Sequence, residues 1–145
     1  MFEIINPWAI LIASIAAYLV GWAWYSPILW AKPWLEARGK TPADMKDGMK
    51  DMPKVMAYGF VSTLATAYAI AVFLAMSGVT TLLGSLQVGL LLCFGFVVTT
   101  EFGHMLYTAS PPHWGRKAQQ VFFIDIGYQI VLFMIVSSVI WFMSR

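Results

Sequence analysis

Four stretches of this chain are each long and apolar enough to cross a lipid bilayer, and together they take up about two-thirds of it. A span needs about 20 mainly apolar residues to cover ~30 Å of hydrocarbon at 1.5 Å per residue. Stretches at about 8–30, 55–76, 82–107 and 118–142 meet that need within 145 residues. Soluble domains carry roughly 25% charged residues; here 11% are charged and 60% are hydrophobic. The expected fold is therefore all-α: a polytopic membrane protein built as one domain, a four-transmembrane-helix bundle. A short interfacial helix is expected in the segment at about 31–54, between spans 1 and 2.

The ends of the spans carry their own signals. Asn6 can cap the first helix and Pro7 suits its first position. Trp22, Trp24, Trp30 and Trp34 suit a membrane–water interface, and Pro27 is expected to bend the last turn. The opening MFEIINPWAI has no Lys or Arg and reads as a retained helix, not a cleaved leader. With four spans, the 32–54 segment and the 110–117 turn share a side. They hold Lys32, Arg38, Lys40, Lys46, Lys50, Lys54, Arg116 and Lys117, leaving Arg145 as the ninth basic residue. Positive charge near span ends stays cytoplasmic, so both termini should face away from the cytoplasm. A net charge of +2 gives no reason to expect nucleic acid as a partner.

Small residues recur four apart on two helices. The second span has Gly59/Thr63, Ser62/Thr66 and Ala65/Ala69; the third has Gly95, Thr99 and Gly103 on one stripe. Such spacing lets membrane helices approach closely, within the bundle or against another subunit. Cys93, in the run LLCFGF, reads as a small buried apolar residue.

Between the first two spans, Thr41-Pro42-Ala43-Asp44 has the form of a helix start: a hydroxyl cap, a proline, then an acid near the positive helix end. Met45, Met49, Met52 and Met56 follow at spacings of 4, 3 and 4, which places them on one helical face. That face suits lipid or the bundle. A weaker alternative is a thioether site for Cu(I), because soft sulfur ligands select soft metals.

The polar residues inside the spans carry the functional question. Glu101 and His104 lie at i and i+3 on the third helix; Asp125 and Gln129 lie at i and i+4 on the fourth. With the intervening turn centred near residue 113, an antiparallel hairpin puts Glu101 and Asp125 at one depth. Asp125 is then about seven residues, roughly 10 Å, inside its span. An acid within a membrane helix costs at least ~2.5–3.5 kcal/mol and usually faces a bundle interior or an aqueous cavity. Two acids at one level must share a proton, hold a cation or meet a basic side chain. His104, Lys54, Arg116 and Lys117 are the basic candidates, and Trp24, Tyr25 and Ser26 can supply hydrogen bonds. Two readings follow: a proton- or cation-responsive pocket, or polar residues that wet the interface and lock the hairpin. A single Glu-x-x-His is half of what a helical di-metal site uses, so no metal centre is expected within one chain.

GWAWYSPILWAKPW (Gly21–Trp34), TPADM (Thr41–Met45) and FFIDIGYQIV (Phe122–Val131) together resemble an uncharacterised family of small four-helix bacterial and fungal membrane proteins. Its best marks are Trp24-Tyr25-Ser26-Pro27 with Lys32 and Trp34, and Gly127-Tyr128. The resemblance implies fold and location, an integral protein of the bacterial inner (cytoplasmic) membrane, and no assigned activity. The chain shows no Gly-rich phosphate loop, nucleophile–base pair or Cys-based metal motif, so neither an enzyme nor a cofactor is expected. The expected partners are membrane lipids and either further copies of the chain or a larger membrane complex. The leading expectation is a non-catalytic subunit or helper acting by helix packing. The alternative is a small oligomeric transporter or channel coupling protons or cations through Glu101, His104 and Asp125.

Overall fold

The computed structural model describes residues 5–109 and 111–144; the first four residues of the stretch read as retained, Ser110 of the expected turn and Arg145 lie outside them. The elements, in order, are α1 (Pro7–Trp24), α2 (Ala31–Ala37), α3 (Pro42–Gly48), α4 (Met52–Ser77), α5 (Leu82–Leu92), a π-helical segment (Cys93–Val98), α6 (Thr99–Thr108) and α7 (Arg116–Met143). No strand occurs among the described residues. Four helical stretches, α1, α4, α5 through α6, and α7, are long and apolar enough to cross a membrane.

Local chemistry explains most boundaries. The Asn6 side chain accepts a hydrogen bond from the Trp8 N–H at 3.0 Å, closing the start of α1 as expected of a cap. Span 1 then ends at Trp24, six residues short of the expected Trp30. Pro27 does not bend a last turn; it stands in a break. Proline has no N–H to continue the ladder and drives the preceding residue, Ser26, out of helical space. The backbone reverses instead: the Trp30 N–H donates to the Trp24 carbonyl and the Ala31 N–H to the Ser26 carbonyl, at 3.1 and 3.2 Å. This turn launches α2, which packs back against α7. Gly39, at φ +66°, stops α2 in the left-handed conformation that only glycine adopts freely.

The helix start at Thr41 forms as its sequence demands. Thr41 Oγ1 accepts from the Asp44 N–H, and Asp44 Oδ2 accepts from the Thr41 N–H at 2.8 Å, a reciprocal cap. The methionine stripe does not form. Met45 lies on α3, Met49 caps it, and Met52 and Met56 belong to α4, so they share no single helix. Pro53 has no N–H for the Met49 carbonyl, and its ring would clash there, which breaks the helix between the two pairs. The Cu(I) alternative loses its one-face geometry with it.

α7 is the central helix, touching α1, α2, α4, α5, α6 and the π segment. Ala9, Ala13, Ala17 and Gly21 form a buried stripe on α1 that admits α7 and α4. Ile70, Ala71, Leu132, Phe133, Val136 and Cys93 complete the core, with Cys93 fully buried. The stripes on α4 part company. Thr63 and Ala67 face inward, whereas Ser62, Ala65 and Ala69 are exposed. α5 meets α7 at Gly89, whose missing side chain leaves room for the Ser137 hydroxyl; a Cβ there would collide with it.

The third span is not one regular helix. Its hydrogen bonding slips to the wider π register over Cys93–Val98, and Thr99 Oγ1 donates to the Gly95 carbonyl at 2.8 Å. One extra residue rotates everything after it by about 100°. The outer ends of α1 and α7 meet at one end of the bundle, where the Asn6 amide donates to the Met143 carbonyl at 3.3 Å.

Candidate functional site at the basic end

Asp125 is the hub of the polar structure at the opposite end. The Tyr25 hydroxyl donates to Asp125 Oδ1 at 2.7 Å, and the Trp34 indole N–H donates to the same oxygen at 2.8 Å. Arg38 Nη2 lies 3.5 Å from Asp125 Oδ2, an ion pair whose side chains are 44% and 22% exposed. The three donors come from the break after α1, from α2 and from its C-cap. One carboxylate thereby pins the re-entering segment to α7. The rings are stacked to suit. The Arg38 guanidinium carbon sits 4.3 Å from the centre of the Trp34 ring, and Tyr25 meets Trp34 and Tyr128 edge-on at 5.4 and 5.5 Å. A hydrogen bond to a charged group contributes about 1.5–3 kcal/mol, which makes this cluster a major tie between α2 and α7.

Two glycines make the joint possible. A Cβ on Gly21 would lie 2.6 Å from the Tyr128 hydroxyl oxygen, and one on Gly127 would lie 2.9 Å from Trp24 Cζ2. Trp24 also donates its indole N–H to the Ile124 carbonyl at 3.1 Å. The WYSP segment and the DIGY segment, about a hundred residues apart, are therefore two halves of one interlocking contact. Ser26 contributes through its carbonyl, which takes the Leu29 and Ala31 N–H groups.

Glu101 and His104 reach the same neighbourhood without joining the cluster. Both line a cleft of about 650 Å³ that also includes Asp125 and Arg38. Arg116 and Lys117, at the start of α7, complete its charged lining, and Met105, Val121 and Phe122 give it apolar wall. Glu101 is half-buried and His104 exposed. Among the described residues, the Glu101 carboxylate has no hydrogen bond or ion pair. Gln129 does not line the cleft; it sits half-buried farther along α7. Among the described residues, no group of three or more His, Cys, Asp or Glu side chains is placed to hold a metal ion. Chemically, the cleft offers one tied carboxylate, one untied carboxylate and cations on two sides.

The acid–base pairing differs from the sequence expectation in one respect. His104, Lys54, Arg116 and Lys117 are the basic candidates by position, yet Arg38 pairs with Asp125. Arg38 follows Trp34 by four residues, so both belong to one face of α2. That spacing is the signal for it, and it becomes visible only once Pro27 is read as a break and not a bend. The Ala9–Ala13–Ala17–Gly21 stripe is likewise legible at spacing four.

No curated protein and no solved structure matches the chain. A family match does extend from the first turn of α1 to the last turn of α7, taking in both halves of the joint around Asp125. Through residues 8–141, the chain belongs to the family described as Protein of unknown function (DUF1761).

Proposed function

We propose that this protein is a non-catalytic membrane component that works by helix packing, in a homo-oligomer or a larger membrane complex. It lies in a bacterial cytoplasmic membrane with both termini on the far side from the cytoplasm. One observation carries the reading: small residues that the bundle does not use face outward. A Cβ on Gly95 or Gly103 would meet nothing within 4 Å, and Thr99 between them is exposed. On α4, Ser62, Ala65 and Ala69 are also exposed. A stripe of small residues lets a second helix come close enough for van der Waals and Cα–H contacts to hold it.

The test is to fill the outward stripe. Gly95→Leu with Gly103→Leu should leave the protomer's thermal stability nearly unchanged, since an added Cβ at either position meets nothing within 4 Å. The same pair should abolish cross-linked or co-purified assemblies from native membranes. A parent protein that migrates as a monomer and recovers no partner, or a variant that assembles as before, ends the proposal.

The transport reading draws on the untied Glu101 in its cleft. It draws nothing from Asp125, whose carboxylate is already held by three donors. Glu101→Gln in proteoliposomes separates the two: loss of a pH-dependent flux present in the parent favours transport, and no flux in either favours packing.

A further inference from the structure

We infer that the cleft between α2, α6 and α7 binds the headgroup of a phospholipid that carries both a phosphate and a primary ammonium. The requirement begins with Glu101. The residue is half-buried and lines the cleft, and its carboxylate has no hydrogen bond or ion pair among the described residues. A partly desolvated carboxylate calls for a hydrogen-bonding cation. The arginines and lysine that line the cleft are otherwise disposed. Arg38 is committed to Asp125 and stacked on Trp34, while Arg116 and Lys117 occupy the cleft's rim on the first turn of α7, exposed and with no ion pair to Glu101.

A ligand complementary to this arrangement presents an anion to Arg116 and Lys117 and an N–H-bearing cation to Glu101. Phosphate suits the first pair, because arginine binds its oxygens through paired N–H groups and lysine as a point charge. A primary ammonium suits the second, because it donates up to three hydrogen bonds. A quaternary ammonium donates none and a glycerol headgroup brings no charge. The cleft lies at the end of the bundle where the basic residues of the loops collect, the level at which headgroups sit. Met105, Val121 and Phe122 supply apolar wall on which the glycerol and upper acyl carbons can lie. Basic pockets between membrane helices are known receivers of lipid headgroups; the acid within this one is what selects the amine.

The inference is independent of the packing proposal, because Glu101, Arg116 and Lys117 are not part of the outward small-residue stripes. Its test uses the full chain in nanodiscs of phosphatidylcholine doped equally with phosphatidylethanolamine and phosphatidylglycerol. Lipid retained on release is counted by native mass spectrometry. The parent should retain phosphatidylethanolamine about fivefold or more over each of the others. Glu101→Gln should bring the ratio of phosphatidylethanolamine to phosphatidylglycerol to about one, with lipid still bound. Arg116→Gln with Lys117→Gln should lose both lipids. Among the described residues none of these three side chains makes a hydrogen bond or ion pair, and unchanged melting temperatures confirm that the variants remain folded. Equal retention of the three lipids by the parent, or an unchanged preference in Glu101→Gln, overturns the inference. Soluble O-phosphoethanolamine is the second arm: if it binds with no lipid preference, the ligand comes from the aqueous phase and the lipid assignment falls.

Discussion

Asp125 shows how a single acid can be affordable inside an apolar helix. Its Oδ1 takes two neutral donors, its Oδ2 faces a guanidinium, and aromatic rings cover the group on the protein side. Asp125→Ala removes the acceptor and strands the Tyr25 and Trp34 donors. At about 1–3 kcal/mol for each unpaired donor, the expected loss is on the order of 3 kcal/mol. Arg38→Ala should cost less than about 1 kcal/mol, because that side chain is nearly half exposed. Trp34→Phe keeps a ring but loses the N–H, for about 1–2 kcal/mol. A double-mutant cycle of Trp34→Phe with Asp125→Ala, measured by reversible unfolding in detergent, should show coupling; strict additivity refutes the hydrogen bond. Asp44, outside the spans, gives a pH signature. The hydrogen bond from the Thr41 backbone, then the one from its side chain, hold the Asp44 pKa below the ordinary carboxylate range, outweighing the opposing effect of desolvation, with a smaller contribution from the nearby Lys40. A carboxyl whose folded pKa is depressed stabilises the fold above its unfolded value and loses that contribution as pH falls through the folded one. Amide protection across the Pro42–Gly48 helix, taken relative to the intrinsic exchange rate at each pH, should therefore fall on acidification below the usual carboxylate range, and Asp44→Asn should remove much of that dependence.

Helix pairs in this bundle are set by where side chains are missing. α5 and α7 close on Gly89, where an added Cβ would overlap the Ser137 hydroxyl and come within 3.2 Å of the Phe133 carbonyl oxygen. Gly89→Ala should destabilise by about 1–3 kcal/mol or more, as overpacking does. Ser137→Ala alone should be neutral or stabilising, since that buried hydroxyl has no hydrogen-bond partner among the described residues. Combining the two should recover part of the loss, read as melting temperature in one detergent. A double variant no better than Gly89→Ala would mean that the clash lies with the Phe133 backbone. The elements also show where sequence reading succeeds. Four apolar runs, the Asn6 cap and the Thr41–Asp44 cap are local properties, and each forms as its residues demand. The early end of α1 was equally local, written in Pro27, but a proline in an apolar run is compatible with either a kink or a stop. Packing of α2 onto α7 decides for the stop.

At the scale of the molecule, charge and chain ends are segregated. The Asn6–Met143 contact puts the described ends at one pole; the cleft, with Arg38, Arg116 and Lys117, lies at the other. The proposed orientation predicts the outcome of thiol labelling on whole cells, in a background with Cys93→Ala. Thr80→Cys, in the α4–α5 turn, should react with a membrane-impermeant reagent from outside, and Lys46→Cys only after lysis. The reverse pattern would invert the protein. Exposed small-residue stripes on α4 and on the third span extend along the bundle's sides, the direction in which another membrane helix approaches.

What the residues determined alone was the bundle: hydropathy and span length act within each segment, and one segment's burial in lipid does not depend on the identity of the next. The reciprocal cap at Thr41 and the burial of Cys93 were legible for the same reason. Which cation answers Asp125, and that Glu101 is left with none, was decided only in three dimensions. Ion pairing depends on which side chains a turn brings within a few ångströms. Here a backward turn at Pro27 delivers Trp34 and Arg38 to an acid about ninety residues away.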